Sequence, residues 1–281
     1  MREERIITPE TVRAFEEQLR LDEKSSATQQ KYRRDLGRFA LFAEGRPVTK
    51  ALTVAYKEQL ETQYQAASVN AMLAALNEFL RFSGWGDCCV KALRVQKRAF
   101  WPAEKELTRT EYERLLAAAE RAGQERLSLI IQTICATGIR VSELQFITVE
   151  ALARGEAQVK CKGKTRSVFL VPALRKKIRA YARQKHIAAG AVFLSTRGNP
   201  LNRSNIWRDM KRLCAFAGVR PEKVFPHNLR HLFARVFYGI EKDIAKLADI
   251  LGHSSINTTR IYIISTGKEH RKKMEHMRLV I

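Results

Sequence analysis

ATGIRVSEL, residues 136–144, packs a helix end, a break and a new start into nine residues. Upstream of it Leu127, Ile130, Ile131 and Ile134 recur at helical spacing and form one buried face. Ala136, Thr137 and Gly138 break that helix, and a short helix begins near Arg140. Arg140 therefore stands, charged, where the core of a domain has just been built. Its neighbours on either side show what kind of domain that is.

Towards the N-terminus the first strong signal is Thr108 with Glu111, a T-x-x-E capping box, with Leu107 and Tyr112 placed as a hydrophobic staple. A domain therefore starts near residue 105. Before it, RVQKRAFWPAEKE (94–106) is basic, holds a proline and lacks a period, as a linker does. The first hundred residues are expected to be helices. Thr8 and Pro9 suit an N-cap and first-turn proline. Tyr32, Leu36, Phe39 and Ala43 follow SSAT (25–28) as one apolar face, and Met72, Leu76, Phe79 and Leu80 form another after Ser68. Lys31, Arg33, Arg34 and Arg38 lie mostly off the first stripe, available to a phosphate backbone; Arg81, beside FSGWG (82–86), is a further candidate contact.

Towards the C-terminus QVK and RSVFLV (166–171) are β-like runs separated by the basic turn CKGKT. Helices resume with Ile206, Met210, Leu213 and Ala217, closed by Gly218. Ile240, Ile244, Leu247, Ala248 and Leu251 form one more stripe before LGHSSINTTRIYI (251–263). The expected architecture is mainly α in two domains: a helical bundle over 1–98, a linker over 99–106, and an α-rich domain with a small antiparallel sheet over 107–281.

Charge narrows the function. Fifty-one Lys and Arg against 29 Asp and Glu give a net +22. Residues 1–100 hold 17 basic and 13 acidic side chains, whereas the remainder holds 34 and 16. A surface this basic attracts polyanions, nucleic acid first among them. Solubility alone needs only a few net charges. No run of 18 apolar residues is present, and MREERIITPE lacks the apolar core of a signal peptide. Five cysteines (88, 89, 135, 161, 214) without a CxxC pair suit reduced thiols in a cytosolic compartment.

Two motifs mislead. GKT (163–165) resembles the end of a P-loop, but position 158 is Gln and the loop leads into a strand. HNLRH (227–231) has metal-like histidine spacing, but position 228 is Asn where a zincin needs Glu, and no third ligand is evident.

Polar residues of one chemistry remain. Arg140 follows the break, and His227 and Arg230 share a helix face after Pro226. Lys162 sits at the hairpin turn, His253 follows Leu251-Gly252, and Tyr262 lies nine residues on. Singly each suits a surface or packing role. Together, two guanidinium groups can hold the non-bridging oxygens of a phosphodiester, histidines can move protons, and a tyrosine hydroxyl can attack.

The ordered series A-T-G-I-R-V-S-E-L, K-G-K-T-R, H-N-L-R-H, L-G-H-S-S and Tyr262 resembles the tyrosine recombinase (phage integrase) family, over nearly the whole chain. T28…Y32, D35-L36, F39 and S68-V-N-A-M-L look like its SAM-like core-binding domain, and the second domain looks like its catalytic domain. The resemblance implies a site-specific recombinase of the compact Xer or mobile-element type, without an arm-binding domain before the helical one. It gives Arg140 and Arg230 the scissile phosphate and Lys162 the proton for the leaving 5′-oxygen. His227 takes an acid/base role, and His253 supports the transition state. Tyr262 forms a 3′-phosphotyrosyl bond, and Glu143 orients Arg140. The loop is K-G-K-T-R where many relatives have K-G-x-K-x-R, so Lys164 competes with Lys162 for the hairpin role; otherwise Lys164 and Arg166 are candidate DNA contacts.

Exchange of a phosphodiester for a phosphotyrosyl ester conserves bond energy, so no cofactor, ATP or metal is required. The resemblance further implies a C-shaped clamp on double-stranded DNA and a homo- or hetero-tetramer across two DNA sites. It places the protein in the cytoplasm with the nucleoid, with no membrane and no accessory protein named by the sequence. Met274, Met277, Leu279 and Val280 in the tail form a short apolar surface for a neighbouring protomer. Competing readings are a topoisomerase IB-like relaxing enzyme and a catalytically silent DNA-binding protein on the same fold.

Overall fold

A computed structural model describes residues 5–95, 103–161, 164–195, 198–263, 271 and 274–277. The chain divides into two compact units, Met1–Lys97 and Arg98–Ile281. Of the expected linker, residues 99–102 lie outside the described set, and Ala103–Lys105 is a turn of 3-10 helix. That turn already belongs to the second unit: Arg220 donates to the Glu104 carbonyl and Asn228 to that of Lys105.

Among its described residues the first unit is a bundle of four α-helices, α1 (Pro9–Leu21), α2 (Ser26–Ala43), α3 (Lys50–Gln63) and α4 (Ala66–Phe82). Thr8 caps α1 reciprocally with Thr11, and the hydroxyls of Ser25 and Thr49 cap α2 and α3. Each satisfies an amide that the first helical turn leaves unpaired. Leu36, Phe39, Leu76, Phe79 and Leu80 are buried together with Phe15 and Tyr56.

In the second unit the Thr108–Glu111 capping box opens α5 (Arg109–Arg121), and Leu107 is buried beside it. Next come α6 (Glu125–Thr137), a 3-10 helix over Val141–Phe146, and α7 (Val149–Arg154). Strands β1 (Glu156–Cys161) and β2 (Lys164–Phe169) pair antiparallel, with Cys161 opposite Lys164. Most of CKGKT thus lies within the strands, and positions 162 and 163 lie outside the described residues. Helices α8 (Pro172–Gln184), α9 (Arg203–Ala217) and α10 (Pro226–Glu241) follow, with α10 packed on α6.

The last expected stripe is two helices. Lys242 in the left-handed conformation ends α10, and the Asp243 carboxylate caps the amides of Ala245 and Lys246 to start α11 (Ile244–Leu251). Ile240 therefore belongs to α10, where it is exposed, and is no part of the α11 face. Gly252 closes α11, Ser255 accepts from the Asn257 amide, and α12 (Ile256–Ile263) carries Tyr262. Met274 and Met277 are helical and exposed, whereas Leu279 and Val280 lie outside the described residues.

Candidate active site

Two glycines shape the floor of the site. Gly138 ends α6 at φ +66°, and a Cβ there would strike the Phe233 ring on α10 and Leu251 on α11. Its carbonyl can then accept from the Arg230 guanidinium. Gly252, at φ +65°, lies so close to Arg166 that a Cβ would stand 2.8 Å from Cδ.

Arg140 precedes the 3-10 helix, and its backbone amide and Nη1 both donate to the Glu143 carboxylate, at 2.7 and 2.8 Å. Glu143 is buried, so its charge needs partners. Arg166 supplies the second: Nη2 donates at 2.8 Å, and its Nε donates to the Ile250 carbonyl at 3.1 Å. Arg166 was expected among DNA contacts; it is instead turned inward. A side chain in the middle of a strand with a buried carboxylate beneath it gains more from that pair than from solvent.

Arg230 is 1% exposed. Its Nη2 donates to the Leu251 carbonyl at 2.6 Å and to Nε2 of His253 at 2.9 Å. Burial, then the nearby Arg140 charge, pulls its pKa down to about 10, an effect partly offset by a hydrogen bond with Tyr262. It stays cationic at neutral pH. Among the described residues nothing pairs with its buried Nε. An orphaned buried donor costs free energy, and an incoming oxyanion would satisfy it.

Tyr262 is itself buried, its ring flanked by three imidazoles. Ring centroids lie 5.2 Å away for His227, 5.3 Å for His231 and 5.4 Å for His253, which is stacked. His227 stands at the exposed rim; desolvation, then Arg230, Arg203 and Arg140, lowers its pKa. Burial pushes His231 and His253 down to about 4, with cationic neighbours adding to the effect at His253. His231 contacts the Ile261 carbonyl at 3.3 Å and so holds α12 down. His231, the second histidine of the metal-like HNLRH pair, is not among the expected site residues; its i+4 spacing from His227 is the signal that both face one ring. Arg203, on the first turn of α9, adds its charge to those that lower the His227 pKa.

Arg140, Arg230, His227, His253 and Tyr262 thus converge, with Glu143 beneath Arg140. Lys162 lies outside the described residues; position 164 opens β2. In the helical unit Lys31 is tied to Asp35 and the Ala71 carbonyl, and Arg33 to Glu16. Arg34 stands 3.5 Å from Asp35. Arg38 lies over the Tyr64 ring, and Arg81 is exposed beside Glu78.

Residues 105–269 match the model of the phage integrase family, and residues 12–85 match the model of its N-terminal SAM-like domain. The chain belongs to the phage integrase family. This integrase-family chain is 32% identical over 285 residues to tyrosine recombinase XerD of Rhizobium meliloti, with 89% of each covered. It is 27% identical to tyrosine recombinase XerA of Pyrococcus furiosus over 99% of this chain and 97% of that one. Its fold matches that of a lambda integrase tetramer bound to a Holliday junction, with TM-score 0.71, 19% identity and 92% and 77% of the two chains covered.

Proposed function

We propose that the chain is a site-specific DNA recombinase that cuts and rejoins strands through a 3′-phosphotyrosyl intermediate. The Tyr262 oxygen attacks phosphorus, the bond from phosphorus to the 5′-oxygen breaks, and Lys162 protonates the departing oxygen. The tyrosine proton passes to His227 at the rim. Arg140 and Arg230 hold the non-bridging oxygens, and His253 supports the negative charge that builds in the transition state. Reversal with a different 5′-hydroxyl joins the strands anew.

The observation that carries this reading is the placement of Tyr262: a buried phenol beside a cationic guanidinium whose Nε still lacks a partner. An oxyanion seated there completes the hydrogen bonding and meets the nucleophile in the same step.

Double-stranded DNA is the substrate, and the exposed basic residues Arg33, Arg34, Arg38 and Arg81 of the helical unit contribute phosphate contacts. Four protomers on two sites carry out the exchange, in the cytoplasm with the nucleoid. A selected binding site carrying a nick beside the scissile phosphate tests the chemistry, because the cut fragment diffuses away and traps the adduct. Wild type gives a covalent protein–DNA band that Y262F lacks. Absence of that band from wild type refutes the reading. Relaxation of a plasmid without cognate sites would replace it with topoisomerase-like activity.

A further inference from the structure

Thr259 has no part in the chemistry above, yet it is 0% exposed and its Oγ1 lies 2.8 Å from Nδ1 of His253. The other ring nitrogen decides what that contact is. Arg230 Nη2 lies 2.9 Å from Nε2, and a guanidinium can only donate. Nε2 is therefore the bare nitrogen of a neutral imidazole. The single ring proton sits on Nδ1 and is donated to the Thr259 hydroxyl. Thr259 stands three residues before Tyr262 on α12, so the two share a helix face.

We propose that Thr259 is a positioning residue that locks His253 in its Nδ1–H tautomer and makes that lock depend on the docking of the nucleophile helix. This rests on the roles given to His253 and Tyr262 above. With Nδ1 already protonated, only Nε2 can take up a proton when a phosphodiester arrives.

The groups facing the ring are Arg230 and His227 from α10, Arg140 before the 3-10 helix, Arg166 from β2 and Tyr262 from α12. Burial, and then the arginines, keep the imidazole neutral at rest. A bound phosphate offsets them and draws the guanidinium of Arg230 to its own oxygens. Nε2 takes a proton from solvent and donates it to a non-bridging oxygen, while Nδ1–H stays on Thr259. If α12 lifts away, Tyr262 leaves the pocket and His253 loses its Nδ1 acceptor in the same movement. One displacement thus removes both the nucleophile and the alignment of a phosphate ligand, so a protomer with its tyrosine withdrawn cannot hold a half-assembled site.

Nitrogen-15 histidine NMR of the full chain without DNA reads the tautomer directly, with His253 identified by the signal lost in H253A. Wild type and T259S are expected to show Nδ1–H, whereas T259V is expected to show Nε2–H or a mixture. On the nicked site T259V should form adduct on the order of tenfold more slowly, the size expected for losing one aligning hydrogen bond. T259S should stay close to wild type, and T259V should cost nothing further in an H253A background. A T259V protein with the wild-type tautomer and adduct rate overturns the proposal. So does a T259S protein that behaves like T259V, or a T259V loss that persists undiminished in H253A. Wild type that forms no adduct refutes the recombinase reading instead and leaves the tautomer result standing.

Discussion

Arg166 and Glu143 form a buried ion pair, with Nη2 to Oε2 at 2.8 Å and Nη1 to Oε1 at 3.3 Å. The same carboxylate binds the side chain and backbone amide of Arg140, so one acid joins the hairpin to Arg140. Arg166 continues the tie to the end of α11 through Ile250.

Removing one member of such a pair leaves the other charged and buried. E143A is expected to cost about 3 kcal/mol of stability. R166A should cost less in the E143A background than in wild type, by at least ~1 kcal/mol. Denaturant titration of the two single variants and the double variant measures this coupling. Additive losses would show that Arg166 and Glu143 act independently.

His231 sets an acid limit. Its pKa is lowered in the fold to about 4 from 6.5, so below pH 6.5 the unfolded chain binds a proton that the native chain refuses. Its contribution to stability is full above pH 6.5 and is lost as pH falls towards 4. The slope is about 1.4 kcal/mol per pH unit for this one proton, to which His253 adds in the same direction. H231Q, which keeps a donor near the Ile261 carbonyl, should flatten the dependence measured by denaturation at pH 7, 6 and 5. An unchanged slope in H231Q would rule out His231 as its source.

Gly138→Ala should fold poorly and cut poorly. The positive φ alone costs about 1–3 kcal/mol, and the added methyl collides with Phe233 and Leu251. The carbonyl that receives Arg230 moves with it. Gly239 in α10 is the control: nothing lies within 4 Å of a Cβ there, and alanine should raise helix stability by roughly 0.5–1 kcal/mol. Melting curves and adduct yield for both variants decide the matter; a tolerant Gly138→Ala would refute the steric argument.

The hairpin lysine can be identified by its leaving group. K162A should slow cleavage at least ~100-fold if Lys162 protonates the 5′-oxygen. A substrate with sulfur in place of that oxygen leaves as a thiolate, a far weaker base, and needs no proton. It should restore K162A towards the wild-type rate and leave K164A unaffected. Rescue of K164A instead assigns the role to Lys164.

Helix starts were legible where a capping side chain and an apolar stripe coincide, as at Thr108–Glu111 and at Ser25 before Leu36 and Phe39. The join between α10 and α11 was not, because Ile240 continues the apolar spacing across a turn made by the backbone of Lys242 and the carboxylate of Asp243. Helices α3, α7 and α8 also escaped notice; α7 spans only six residues, and α8 sets its apolar positions among five Arg and Lys.

By itself the sequence determined the ordered motifs, the two-domain helical plan and the polyanion-seeking charge, since these follow from residue type and short spacing. Only the tertiary structure decided that Arg166 turns inward, that His231 packs against Tyr262, and that the Thr259 hydroxyl lies beside Nδ1 of His253. Those choices depend on which partners lie near once water is excluded. Residues 143 and 166, or 230 and 253, become each other's best hydrogen-bonding option only after folding has buried them together.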